Sequence, residues 1–234
     1  MQGLSVIIPC YNESKRGNFY ERLAILQSYL DAQIFSYEII CVLDGKDTVA
    51  ERICKELDID CIKIERNQGK GYAIRLGLYS TMYDTIMYLD ADLSTDINYI
   101  ADFYDLVGKG YSLVIGERNC ERRLLSKLGL FVTKKILGIK YNDTQCGFKM
   151  FKKSSVKDIW GYFKSTKWLL DIELILYMQA LTDSIRSIPV NYDDELPSTL
   201  NSFKASFSSF KELLSILVRR KKVIEQIKVK NKQI

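Results

Sequence analysis

Two carboxylates one residue apart close the apolar run Ile86–Leu89: Asp90 and Asp92, within Ile-Met-Tyr-Leu-Asp-Ala-Asp-Leu-Ser-Thr-Asp at 86–96. A short apolar run reads as a buried strand, and parallel strands of an open α/β sheet present ligands at their carboxyl ends. Holding two like charges this close is unfavourable unless a cation accompanies them. Hard oxygen ligands suit Mg2+ or Mn2+, which complete their coordination with water and substrate phosphates. The plainer reading is a strand ending in a polar turn, with Asp92 capping the following helix.

Three further polar stretches follow apolar runs: Pro9-Cys-Tyr-Asn-Glu13, Asp44-Gly45 and Arg66–Gly71. Converging on one rim of a parallel sheet, they would suit a nucleoside diphosphate. Tyr11 could cover a base, Asp44 could accept a hydrogen bond from base or ribose, and glycines beside a helix N-terminus would let anionic groups approach. Gln68-Gly-Lys-Gly71 lacks the first glycine and the hydroxyl residue of a phosphate-cradling loop. No Gly-X-Gly-X-X-Gly follows the first strand, which argues against a dinucleotide site. Arg118, Arg122 and Arg123 cluster where guanidinium forks could bind a phosphate, or, for the last two, where a helix simply starts in solvent. Asp143 is a candidate base or positioner of an incoming oxygen, and the alternative is a loop-fixing Asx turn. Asp171 reads as a helix cap and Glu173 as facing the pocket.

Composition narrows the chemistry. The 234 residues contain no histidine, which excludes imidazole acid–base catalysis, Ser-His-Asp triads and His-ligated zinc. A base would have to be a carboxylate, unless the nucleophile arrives already ionised. The net charge of +5 favours an anionic partner but is too small to suggest nucleic acid. Six cysteines without Cys-X-X-Cys spacing, several in apolar runs, read as reduced core residues of a cytoplasmic protein. Met1 leads directly into an apolar run without the basic region of a signal peptide, and no run is long enough to span a bilayer.

The elements that must position these residues alternate. Strands are predicted at 4–9, 37–43, 60–65, 86–89 and 112–116, with helices over 19–32, 48–57, 69–82 and 96–107. That alternation implies right-handed βαβ units and a mainly parallel sheet covered on both faces. Farther on, helices are expected at 124–137 and 170–181, and strands at 147–151 and 185–190. The last should lie at an edge, because Pro189 cannot donate to a ladder. One α/β domain over 1–202 is followed by 203–234, where Phe203, Phe207, Phe210, Leu213, Leu214, Leu217 and Val218 recur at helical spacing before Arg219-Arg-Lys-Lys222. Such a basic amphipathic helix could lie on an anionic membrane surface, pack back on the domain, or do both.

Ser-Val-Ile-Ile-Pro-Cys-Tyr-Asn-Glu at 5–13, Asp44-Gly45, Arg66-Asn-Gln-Gly-Lys-Gly71 and Tyr88-Leu-Asp-Ala-Asp-Leu-Ser94 together resemble the family-2 glycosyltransferases of the GT-A, Rossmann-like fold. Asp143-Thr-Gln-Cys-Gly-Phe-Lys149, Asp171-Ile-Glu173 and Ile188-Pro-Val190 are similar to segments of the polyprenyl-phosphate sugar transferases, above all the dolichyl-phosphate β-glucosyltransferases and also the mannosyltransferases. The resemblance implies that Pro9, Tyr11, Glu13 and Asp44 hold the nucleotide, with Lys70 in the same donor-binding set. It implies that Asp90 and Asp92 bind the donor diphosphate through Mg2+ or Mn2+, and that Arg118 meets an acceptor phosphate. Asp143, Asp92 and Arg118 form the expected catalytic set. Leu43 stands where many members have a second Asp. Ser94 stands where the mannosyltransferases have Gln, which counts against mannosyl transfer.

The expected activity is inverting transfer of a hexose, glucose from UDP-glucose, onto a polyprenyl or dolichyl phosphate at the cytosolic membrane face. Two other readings stay open: a soluble transferase acting on a saccharide hydroxyl, and an inactive nucleotide-sugar-binding or scaffold subunit.

Overall fold

A computed structural model describes residues 2–119, 134–193 and 202–231. Seven strands form a single sheet: β1 (Gly3–Cys10), β2 (Ser36–Asp44), β3 (Asp60–Ile64), β4 (Thr85–Leu89), β5 (Leu113–Arg118), β6 (Phe148–Lys152) and β7 (Ile185–Val190). Their order is β3-β2-β1-β4-β6-β5-β7. All neighbours run parallel except β6, which lies antiparallel between β4 and β5. The helices are α1 (Phe19–Asp31), α2 (Thr48–Glu56), α3 (Lys70–Ser80), α4 (Tyr99–Gly108), the short α5 (Lys153–Val156), α6 (Leu170–Leu181) and α7 (Ser202–Asn231).

The period-two alternation of strands divides the core between the two faces. Val6, Ile8, Ile39 and Cys41 point to a layer completed by Phe19 and Leu23 of α1 and by Ile100 and Phe103 of α4. Ile7, Ile40, Val42 and Tyr88 point to the other, completed by Ile74 and Leu78 of α3 and by α6. Because both faces are covered, the central strands read as nearly continuous apolar runs. The expected strand at 185–190 is β7, and it is an edge, with Pro189 beside Glu117 of β5.

Three expectations change. The helix expected from 96 starts at Tyr99, because Asp96 accepts from the Asn98 amide at 3.0 Å and makes a turn of the entry. Of the helix expected over 124–137, residues 134–137 are helical, and the remainder, with Arg122 and Arg123, lies outside the described residues. The third concerns the tail, where α7 buries Ile216, Val223 and Ile227 in the core on the α6 side. Leu214 and Val218, expected on the same face as Leu213 and Leu217, are exposed instead. The helix therefore carries apolar residues on two sides. Among the described residues, no helix is long and apolar enough to cross a membrane.

Candidate active site

Strand order locates the site before any side chain is considered. The chain runs outward through β1, β2 and β3 and then returns to place β4 on the other side of β1, so the order reverses between β1 and β4. A crevice forms outside the carboxyl ends of strands at such a point. The β1–β4 pairing stops at Ile7–Tyr88, and Pro9, which has no N–H to pair, lies just beyond it. The ends of β1, β2 and β4 deliver Tyr11, Asp44 and Asp90 to this rim. β6 enters from the opposite direction, with Phe148 paired to Leu89, so Gly147 and the preceding loop reach the same place.

Asp90 is the centre. Lys70, first residue of α3, contacts its Oδ1 at 2.7 Å, and the Lys70 ammonium is 3.9 Å from Asp171 Oδ2. Burial opposes the charge on Lys70, but Asp90 and Asp171 outweigh it and raise the pKa, so the ammonium stays protonated. Asp171 Oδ1 accepts from Lys149 Nζ at 2.6 Å and from the Tyr88 hydroxyl. Lys149, fully buried, also donates to the carbonyl of Cys146. Two ammonium groups thus balance two carboxylates in a largely dry network. The opposite side of Asp90 is closed by Gly147, where an added Cβ would lie 2.0 Å from Oδ2.

Asp92 is partly exposed, and its Oδ1 accepts from the Ser94 amide at 3.1 Å. Leu93 between them takes a left-handed φ of 51°, a strained conformation of the kind that concentrates at functional sites. Residues 94–96 are tied to 191–193 by Asp96 N–Asn191 O and Asp193 N–Ser94 O bonds. The Tyr192 ring lies 5.1 Å from the Arg118 guanidinium. Burial raises the Tyr192 pKa, with Arg118 lowering it and Asp92 raising it.

Asp143 is buried and accepts from five N–H groups: Arg118 Nε at 2.7 Å, Arg118 Nη2 at 3.1 Å, and the amides of Arg118, Gln145 and Cys146. A carboxylate offers about four lone-pair directions, so no acceptor capacity remains for a substrate proton. The bonds from the amides two and three residues on are the Asx turn. Asp143 therefore anchors Arg118, the positioning role of the two expected of it, and to act as a base it would first have to release one of these donors. Burial works against the Arg118 charge, and the Asp143 hydrogen bond more than compensates, raising its pKa.

On the nucleotide side, Tyr11 is exposed, and its ring runs past Gly45, whose added Cβ would sit 3.6 Å from Cε2. Asp44 is buried and holds the 68–69 loop, accepting from the amides of Gln68 and Gly69 at 2.7 Å each. Glu13 is buried against Arg16 at 3.3 Å, and its Oε2 has no hydrogen-bond partner. Burial raises its pKa, opposed by Arg16 and Arg22 and reinforced by Asp92.

Three readings of the sequence give way here. Asp171 is not a cap, since Leu169 holds that position and Asp171 is an ion-paired residue of the first turn. Glu173 does not face the crevice. It is buried, accepting from the amides of Lys164 and Ser165 and from Arg219 and Tyr177. The glycines at the start of α3, Gly69 and Gly71, do not open its first turn to an anion, because the amides of Gly71 and Tyr72 are bonded to the carbonyls of Lys167 and Thr166 at 3.0 and 2.9 Å. Gly69 and Gly71 permit that approach, since added Cβ atoms would lie 2.5 and 2.8 Å from those oxygens. Lys149 and Trp168, the latter ring 5.4 Å from Lys70, were not anticipated. For Lys149 a signal existed: a lone cation between Phe148 and Met150 in an apolar strand demands a buried anion.

Among the described residues, no group of three or more His, Cys, Asp or Glu could hold a metal ion. The donor set fits a hard divalent ion only in the form that Asp90 and Asp92 offer: two carboxylates, with the remaining ligands from water and phosphate.

The sheet order and the switch-point crevice are those of an open α/β protein that takes its ligand at the strand ends. The glycosyl transferase family 2 profile matches residues 5–160, and the chain belongs to that family. It is therefore a nucleotide-sugar-dependent glycosyltransferase. Its relatives include the dolichyl-phosphate beta-glucosyltransferases of Dictyostelium discoideum and Homo sapiens. Each is 29% identical over 92% of this chain, covering 74% and 75% of the relative. The same-named Saccharomyces cerevisiae protein is 28% identical over 82% of this chain and 67% of its own. In fold, the chain is similar to Mycobacterium tuberculosis glucosyl-3-phosphoglycerate synthase, with a TM-score of 0.72 at 16% identity over 93% of this chain and 80% of that one. A structure of that synthase with Mn2+, UDP and phosphoglyceric acid superimposes with a TM-score of 0.67 at 14% identity, covering 92% of this chain and 78% of that one.

Proposed function

We propose that the protein transfers glucose from UDP-glucose to a polyprenyl or dolichyl phosphate with inversion at the anomeric carbon, dependent on Mg2+ or Mn2+. The observation that carries this reading is the pair of acids at the end of β4, Asp90 seated against Lys70 and followed by Asp92, together with the Asp143-anchored Arg118 beside Tyr192. The names of the relatives supply the sugar and the lipid.

Asp90 and Asp92 would hold the divalent ion, which when bound neutralises charge on the departing diphosphate. Tyr11 covers the uracil beside Gly45, and Asp44 fixes the loop that carries Lys70. Lys70, kept protonated, adds a second positive charge at the diphosphate. On the acceptor side, the Arg118 fork uses two side-chain N–H groups on Asp143 and offers the rest to the lipid phosphate. A phosphate monoester with a second pKa near ~6 is mostly ionised at neutral pH and is already a nucleophile. Its oxygen attacks the anomeric carbon while the bond to the diphosphate breaks, and no proton has to be removed. A chain without histidine, whose best-placed acid has no acceptor capacity left, suits that chemistry.

Leu214, Val218 and Val229 are exposed on α7, together with Lys211, Lys221, Lys222 and Lys228. They support contact with an anionic lipid surface, where the acceptor would reside.

The test is a donor screen with Mn2+ or Mg2+, with and without dolichyl phosphate in detergent. Formation of an acid-labile, lipid-extractable glucosyl phosphate from UDP-glucose, lost in Asp92→Asn, is the expected result. Transfer confined to GDP-mannose, or to a saccharide hydroxyl with lipid phosphate inert, would overturn the proposal.

A further inference from the structure

We infer that Glu212, on the carboxyl-terminal helix α7, is a positioning residue for the donor site. It fixes the 166–167 peptides on which the first turn of α3, and hence Lys70, is seated. The inference rests on the reading of Lys70 and Asp90 as the donor-diphosphate end of the crevice.

The contacts form a continuous path. Glu212 Oε1 accepts from the amides of Thr166 and Lys167 at 3.0 and 3.2 Å and from the Thr166 hydroxyl at 3.4 Å. Those same two residues turn their carbonyls the other way, onto the amides of Tyr72 and Gly71. A charged acceptor thus grips the donor side of two consecutive residues whose acceptor side caps α3. Lys70 opens that helix, 2.7 Å from Asp90. The next residue of the loop, Trp168, supplies the ring beside the Lys70 ammonium.

Two observations make this grip consequential. Residues 163–169 contain no helix or strand, so beyond the bonds from the Gly71 and Tyr72 amides it is side chains that hold them. Glu173 secures one end through the Lys164 and Ser165 amides, and Glu212 secures the end nearer the site. The joint is also incompletely satisfied. Arg75 Nε, Trp160 Nε1, Ser165 Oγ, Glu212 Oε2 and Arg219 Nε are buried without hydrogen-bond partners, and all belong to α3, α7 or the 160–165 segment between. The helix farthest along the chain thereby sets the first turn of α3.

The test is steady-state kinetics on the full chain, varying UDP-glucose at fixed Mn2+ and lipid phosphate. Glu212→Ala should raise the KM for the donor about tenfold, the worth of one charge-assisted hydrogen bond, and leave the acceptor KM unchanged. Glu212→Gln, which keeps an acceptor oxygen, should recover most of the donor affinity. In a Lys70→Met background, Glu212→Ala should add nothing further to the donor KM, because both act through the same ammonium. Should the alanine variant not fold, Glu212→Asp, drawn back by one methylene, carries the same expectation. A lowered Tm or kcat with donor KM unchanged, or full additivity with Lys70→Met, overturns the inference. If Lys70→Met itself leaves the donor KM untouched, the reading of the donor site fails instead.

Discussion

Gly147→Ala should disable the site while leaving the fold standing. The added Cβ would lie 2.0 Å from Asp90 Oδ2, 2.4 Å from Cγ and 2.7 Å from Oδ1, whereas ordinary contact begins at 3.4 Å. Oδ2 must therefore retreat by about 1.4 Å to reach ordinary contact. The Asp90 side chain is 37% exposed and can swing outward, so the displacement falls on the carboxylate rather than on the sheet. The stability cost should be at the low end of overpacking, about 1 kcal/mol, or roughly 2–4 °C in Tm for a chain of this size. Catalysis should suffer more, because a misplacement of order 1 Å costs about a hundredfold. Initial rates of transfer and thermal denaturation measure the two effects separately. Gly77→Ala is the control: its Cβ would meet Ile7 Cγ2 at 2.6 Å inside the core, so it should lower Tm without changing kcat/KM. A Gly147→Ala enzyme with more than a third of normal kcat/KM would refute the reasoning, as would one that had simply unfolded.

Lys149→Met removes a fully buried cation from Asp171 and leaves that carboxylate with the Tyr88 hydroxyl and the more distant Lys70 ammonium. Breaking a buried pair in this way costs about 3 kcal/mol or more, and a loss below about 1 kcal/mol in urea titration would show that the network is wet. Glu13 provides the pH test. Burial holds its pKa above the ordinary 4.5, so the folded state keeps the proton longer than the unfolded chain. Folding stability contributed by this group therefore falls as pH rises from 4.5 towards the raised value. Glu13→Gln should remove that slope, so the difference in urea midpoint between variant and parent should grow in the variant's favour over this window. A constant difference would show that Glu13 ionises normally.

The parts of this architecture written in local pattern were legible in the sequence. β1 and β4 announce themselves as apolar runs, Pro189 marks the edge, and the polar stretches at 9–13, 44–45 and 90–92 do meet at one rim. Long-range pairings were not legible. Nothing in Gly147–Phe151 states that this strand runs against its neighbours, and Lys149 and Asp171 are joined across 22 positions. Gly69 and Gly71 were read as making room for a ligand, yet the visitor they admit is the chain's own loop. Either guest would select the same residue. The tail misled for a different reason. With apolar residues on two sides of α7, helical spacing picks out more than one face, and only packing on α6 decides that Ile216, Val223 and Ile227 go inward.

The reversed strand β6 also governs the order in which the molecule can be built. Among the described strands, β5 and β7 join the rest of the sheet through β6 alone. As the chain leaves the ribosome, β1 to β4 can pair at once. β5 emerges with no neighbour and must wait until residue 152 has been made before it can be stitched in. Arg118 rides on that waiting strand, while the 166–168 loop, Asp171 and Glu212 that seat Lys70 emerge later still, so the acceptor side of the crevice can be in place before the donor side is finished.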